Sequence, residues 1–251
     1  MLSSVTGPAC ADVQYGTSGE DLYRIQSAET SSKVSYAGTE RLTVRRDGKT
    51  WRFEARARYT RDGPDGKGSE NARFVQILRS DGTFEDRVDD DPDFLTILNQ
   101  PFAVRLDAPT LRDLRTLHGS VPFSTTSPLG AEAMLHGFLR PATGGPIGGR
   151  PTVAVRFEAD GEMTGPLPGF AAMLVAGTMR MDGTAYYALD DATLLGLNVA
   201  LTLDARLAQS RPSVSVPVRI VYRRTIRATS SKTLPPAPLA KDAGTVAPAT
   251  P

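Results

Sequence analysis

The side chains able to do chemistry are few in this chain. Two histidines, His118 and His136, flank the hydroxyl-rich stretch Val121 to Gly130, and Cys10 is the only cysteine. Neither histidine stands at metal-ligand spacing from the other or from Cys10. A lone cysteine also allows no intrachain disulfide and no cysteine cage. Ser124 and Ser127 lie between the histidines, but acyl transfer needs a nucleophile, a base and an orienting acid, and the Gly-x-Ser-x-Gly elbow is absent. Gly144-Gly145-Pro146-Ile147-Gly148-Gly149 has the glycines of a phosphate loop without the Gly-Lys-Ser/Thr that follows them in one, and reads as a turn. Asp86, Asp89, Asp91 and Asp93 offer hard oxygen donors. Their spacing is not that of a calcium hand, and they read as the acidic start of a short helix through Phe94 and Leu98. The sequence therefore predicts no catalytic residue, no metal site and no cofactor.

The elements that would position any site are strands. Between Gly177 and Ala228 the side chains alternate with a period of two, as a half-buried strand requires and a helix forbids. Met179, Met181, Ala185 and Tyr187 share one face of the first run. After a turn at Asp190-Asp191-Ala192-Thr193, Leu195, Leu197, Val199, Leu201, Leu203 and Ala205 share one face of the second. Beyond Arg211-Pro212, Val216, Val218, Ile220, Tyr222 and Ile226 do the same in the third. Pro217 cannot donate to a ladder, so its amide must face outward or lie at an edge.

Earlier in the chain, Asp47-Gly48 separates two alternating runs and marks a hairpin, as does Asp81-Gly82. Gly38 to Leu42 and Gly177 to Met181 each open a run that reaches an Asp-Gly, an echo that a distant duplication or coincidence would produce. Pro109 opens a short helix lined by Leu111, Leu114 and Leu117. Val121 to Gly130 reads as a loop, Ala131 to Leu139 as a strand, and Gly165 to Ala176 as a connection. The expected organisation is a flexible arm over residues 1–30, one all-β domain over 31–229 and a disordered Pro/Ala-rich tail over 230–251. The fold class is mainly β: a large curved antiparallel sheet, half-barrel or open barrel, with one or two short helices.

The charges narrow the partners. With 29 basic and 28 acidic residues the net charge is +1, which provides no field for nucleic acid or an anionic membrane. Arg219, Arg223 and Arg227 form a stripe, but Tyr222 lies on the opposite face, so bases have nothing to stack on beside them. No apolar run approaches the ~20 residues of a membrane-spanning helix. An export signal is not visible in the numbered chain. The low-lysine, Gly/Pro/Thr-rich composition points to a periplasmic or secreted protein, with a cytoplasmic one as the alternative.

The hairpin at Arg46-Asp47-Gly48-Lys49, the helical segment Pro109 to Leu117, and the meander from Gly183-Thr184-Ala185-Tyr186-Tyr187 through Leu207 together resemble bacterial envelope proteins built on a half-barrel sheet. The Lol-type lipoprotein carriers are the known example. The resemblance is architectural and spans roughly Val34 to Ala228. It implies a non-enzymatic protein sheltering a lipid or other apolar ligand in its concavity. The residues expected to line that face are Met179, Met181, Tyr187, Leu197, Val199, Leu201, Ile220 and Tyr222, with Phe123 from the Val121–Gly130 loop as part of a lid. The same side chains would equally fill a dry core. The competing functions are an envelope assembly protein acting through a sheet edge or its tail, and a hydrolase whose site carries no recognised motif.

Overall fold

The structure is a computed structural model that describes residues 10–25, 30–47, 50–78, 84–90, 93, 119–127, 133–167, 170–209 and 214–234. Eleven strands follow one another: β1 (Cys10–Ile25), β2 (Thr30–Asp47), β3 (Thr50–Gly63), β4 (Gly66–Leu78), β5 (Phe84–Asp90), β6 (Val121–Thr126), β7 (Met134–Ala142), β8 (Thr152–Leu167), β9 (Phe170–Ala188), β10 (Leu194–Gln209) and β11 (Val214–Leu234). They form a single open sheet in the order β5-β4-β3-β2-β1-β11-β10-β9-β8-β7-β6. The chain enters at the middle, steps outward to β5, and walks back from the far edge at β6 until β11 lies beside β1. Every neighbouring pair is antiparallel.

The C-terminal meander is the one the alternation predicts. Leu201 pairs with Met181 on one side and Tyr222 on the other, so apolar residues of β9, β10 and β11 stand in rows on one face. The turn after β9 is held by its aspartates. The Asp191 amide donates to Asp190 Oδ1 at 3.0 Å and the Thr193 amide to Asp191 Oδ1 at 2.9 Å, while Ala192 takes a φ of 59°. Pro217 lies one residue past Val218, the last residue of β11 paired with β1, so no β1 carbonyl needs its missing proton.

Several expectations are corrected. Cys10 to Ile25, assigned to a flexible arm, form β1 in the centre of the sheet. The inward positions of β1 include Thr17 and Asp21 beside Tyr15, which dilutes the apolar signal. Ser230 to Leu234, assigned to the tail, extend β11 against β1. Val121 to Thr126 are not loop but strand β6, paired with Met134 to Leu139. The Gly165–Ala176 connection is strand on both sides of residues 168–169. Gly183 sits within β9, as the alternation through it predicts, and a Cβ there would come within 2.6 Å of the Phe157 ring. The two helices, at Phe94 to Leu98 and Pro109 to Leu117, fall outside the described residues, among which there is no helix.

The sheet curls toward one face. Ser127, just past β6, donates a hydrogen bond to the Met179 sulfur at 3.2 Å. Those strands are three places apart, about 14 Å on a flat sheet. Buried side chains from β1–β4 and β7–β11 make one apolar cluster on this inner face, and Val34, Tyr36, Ala57, Tyr59 and Ala72 make a smaller one. The opposite face carries exposed cross-strand ion pairs such as Arg140–Glu158 at 3.0 Å.

Candidate functional site

Eight of the nine residues expected to line the apolar face come together on β9, β10 and β11. Met179, Met181, Tyr187, Leu197, Val199, Leu201, Ile220 and Tyr222 belong to one cluster, and none exposes more than 8% of its surface. Phe123 of β6 is half-buried and packs against the same cluster. The side chains are thus brought together as expected, but they pack against protein and do not line an open trough. Burial holds the hydroxyls of Tyr187 and Tyr222 well above the usual phenol range.

The same face contains a polar node that the sequence reading missed. Arg224 falls on β11 between Tyr222 and Ile226, at the parity of the core, and both it and Asp21 of β1 have fully buried side chains. Gly19 is the residue of β1 directly opposite Arg224. A Cβ there would meet the Arg223 carbonyl oxygen at 2.5 Å and Arg224 Cδ at 2.7 Å, so glycine opens the space the guanidinium stem occupies. From there Arg224 Nη1 donates to Asp21 Oδ1 at 2.5 Å and to the Arg223 carbonyl at 2.9 Å. The guanidinium stands 4.8 Å from the Tyr36 ring centroid and 6.0 Å from that of Tyr222, within cation–π range.

Hydroxyls complete the node. Asp21 Oδ2 accepts from Tyr36 at 2.8 Å and from Tyr23 at 3.2 Å. Burial raises the Asp21 carboxyl above its ordinary range, against the opposing pull of Arg224 and the two phenols. Asp93, beyond β5, docks onto this arrangement. Its carboxylate accepts from Tyr59 at 2.6 Å, the Tyr36 hydroxyl it shares with Asp21 lies 3.2 Å from its other oxygen, and its carbonyl accepts from Arg224 Nη2 at 2.6 Å. Arg61 Nε lies 3.6 Å from Asp93 Oδ1, close enough for charge attraction but too far for a hydrogen bond. Asp93, read from sequence as part of a helix cap, is therefore a structural anion on the inner face. Asp86, Asp89 and Asp91 lie where no side chain is described.

The opposite face holds an open groove of about 1050 Å³ across β6 to β11, with Phe138, Asp160, Arg180 and Asp182 among its walls. His136 lies in it, and its Nδ1 is 2.8 Å from Ser124 Oγ. Both side chains are exposed. His118 is outside the described residues. Among the described residues no three His, Cys, Asp or Glu side chains converge as a metal site would need.

No family model matches the chain, and no curated protein does. Among solved structures, lipovitellin, in a structure of its lipid–protein interactions, aligns over 95% of this chain at 10% identity with a TM-score of 0.41. The chain spans 27% of that lipovitellin chain. DynF from the dynemicin biosynthesis pathway of Micromonospora chersina aligns over 89% of this chain and 84% of its own at 8% identity, with a TM-score of 0.26. Likenesses this loose carry no functional argument. What the geometry defines is an all-β protein with one open antiparallel sheet and a continuous apolar face.

Proposed function

We propose that the protein is a binding or carrier protein for a lipid or other apolar ligand, acting outside the cytoplasm and leaving its cargo chemically unchanged. The observation that carries this reading is the continuous apolar face on a sheet whose outermost strands, β5 and β6, each have one neighbour among the described residues. A sheet open at its two edges can relax its curl without breaking a ladder. An acyl chain then replaces one set of apolar contacts with another, at little change in area exposed to water. Met179 and Met181 are fully buried in the band and suit it to cargo of varied shape. Because the band is closed in the free chain, the observed affinity is the intrinsic one reduced by the fraction of molecules that are open.

The test is refolding in the presence of a mixed lipid extract, followed by native mass spectrometry and lipid titration. Retained apolar species and a thermal stability that rises with added lipid are expected. Absence of any bound species, with thermal stability unmoved by added lipid, would defeat the reading. A second reading, an envelope assembly protein, is favoured by the outer side of β6, which pairs with no strand among the described residues. Ser124→Pro on that edge should abolish capture of an envelope partner if it is right, and leave lipid retention intact if it is not.

A further inference from the structure

We infer that the inner face carries a subsite for a single negatively charged headgroup, so that the preferred cargo is an anionic amphiphile and not a neutral lipid. This rests on the carrier reading above. The strands of the node contribute Asp21 from β1, Arg61 from β3 and Arg224 from β11, a sum of one negative and two positive charges. These three leave one positive charge over, which Asp65 of the β3–β4 turn offsets less than Asp93 does. Asp93, which belongs to no strand, supplies the balancing carboxylate.

The donors around Asp93 are those an anion receptor needs. Tyr59 directs its hydroxyl at one carboxylate oxygen, the Tyr36 hydroxyl, shared with Asp21, lies 3.2 Å from the other, Arg61 approaches from the side, and Arg224 Nη2 holds the carbonyl. Arg61 Nε is buried and has no hydrogen bond even with Asp93 in place, so the receptor has a donor that the aspartate does not fill. Desolvated donors of this kind make charge-assisted bonds that are stronger than those between neutral groups. The node is reachable, since the Arg61 side chain is 36% exposed and that of Asp93 13%.

The receptor is also continuous with the apolar band. Arg224 pairs across β10 with Val199, and its guanidinium faces the Tyr222 ring, so two residues of the band touch the node. A ligand lying along Leu201 and Met181 would bring its head to Arg224, Arg61, Tyr36 and Tyr59. There its charge replaces that of the Asp93 carboxylate beside Arg61.

The experiment compares oleate with oleyl alcohol on the full chain, using wild type, Asp93→Asn and Arg61→Gln. Asp93→Asn removes the internal competitor and keeps an oxygen for Tyr59, so oleate should bind about tenfold more tightly while oleyl alcohol changes little. Arg61→Gln should weaken oleate about tenfold, again sparing the alcohol. Binding of both amphiphiles with no discrimination by either variant would overturn the headgroup subsite and leave the carrier reading standing. Binding of neither amphiphile to any of the three proteins would overturn both.

Discussion

The apolar band of β9–β11 and the polar node at Asp21 and Arg224 share one face of one sheet, and they are held together by different physics. The band gains from area removed from water, at about 25 cal/mol per Å², and that gain is indifferent to which apolar neighbour covers it. The node has directional contacts between buried charges. Such pairs contribute little net stability when intact, because desolvation offsets their attraction, and cost a great deal when one partner is lost. What the node adds is register. Arg224 lies opposite Gly19, the residue whose missing side chain admits it. A one-residue slip between β1 and β11 would turn Asp21 to the other face and leave Arg224 buried alone.

The sharpest way to break this contrast is to halve the node. Asp21→Ala should destabilise the chain by about 3–5 kcal/mol in denaturant unfolding, whereas replacing the pair together, Asp21→Leu with Arg224→Met, should be near neutral or stabilising. A double replacement as damaging as the single one would show that the node is a source of stability like the band. Next in size, Leu201→Ala removes a fully buried side chain of the band. It should cost about 3 kcal/mol, with no charged partner left behind to enlarge the loss.

The smallest effect comes from alkaline titration. Burial is the first cause that raises Tyr15, Tyr23, Tyr36, Tyr187 and Tyr222 above the ordinary phenol value of 10.0, and in the node Asp21 adds to it for Tyr23 and Tyr36. The folded state therefore favours the neutral phenols. Their contribution is complete below the unfolded value near 10.0 and is lost as pH rises beyond it. Tyrosinate absorbance from these five should appear together with unfolding. Ionisation of Tyr23 and Tyr36 in the folded chain, ahead of Tyr187, would show that the node is more open than the band.

This division also explains which parts of the fold could be read from the sequence. The last three strands were legible because nearly every inward position is apolar, from Met179 through Leu201 to Ile226. β1 was not, because its inward row contains Thr17, Gly19 and Asp21, which together look like a solvated arm. β6 was obscured by Pro122 and its run of hydroxyls. The node left one readable sign. Arg224 has the parity of Tyr222 and Ile226, and Asp21 has the parity of Tyr15 and Tyr23, so each is a charge at a core position seeking its opposite. What brings the two together is the pairing of the first strand with the last, and no local pattern encodes a contact between residues so far apart in the chain. Asp93 gave no such sign, since its role depends on where the connection after β5 meets the sheet.

The pairing of Cys10 with Leu234 has a consequence for how the molecule is made. β1 is made before every other described strand and waits for β11, which is made after them, so both meanders can assemble while the seam between them stands open. Until β11 arrives, Asp21 has no guanidinium to meet. The central ladder then closes over the greatest chain separation in the fold, a step whose entropy cost makes completion slow. Through that interval the newborn chain presents two raw central margins as well as its outer ones, and is at its most vulnerable to pairing with a stranger.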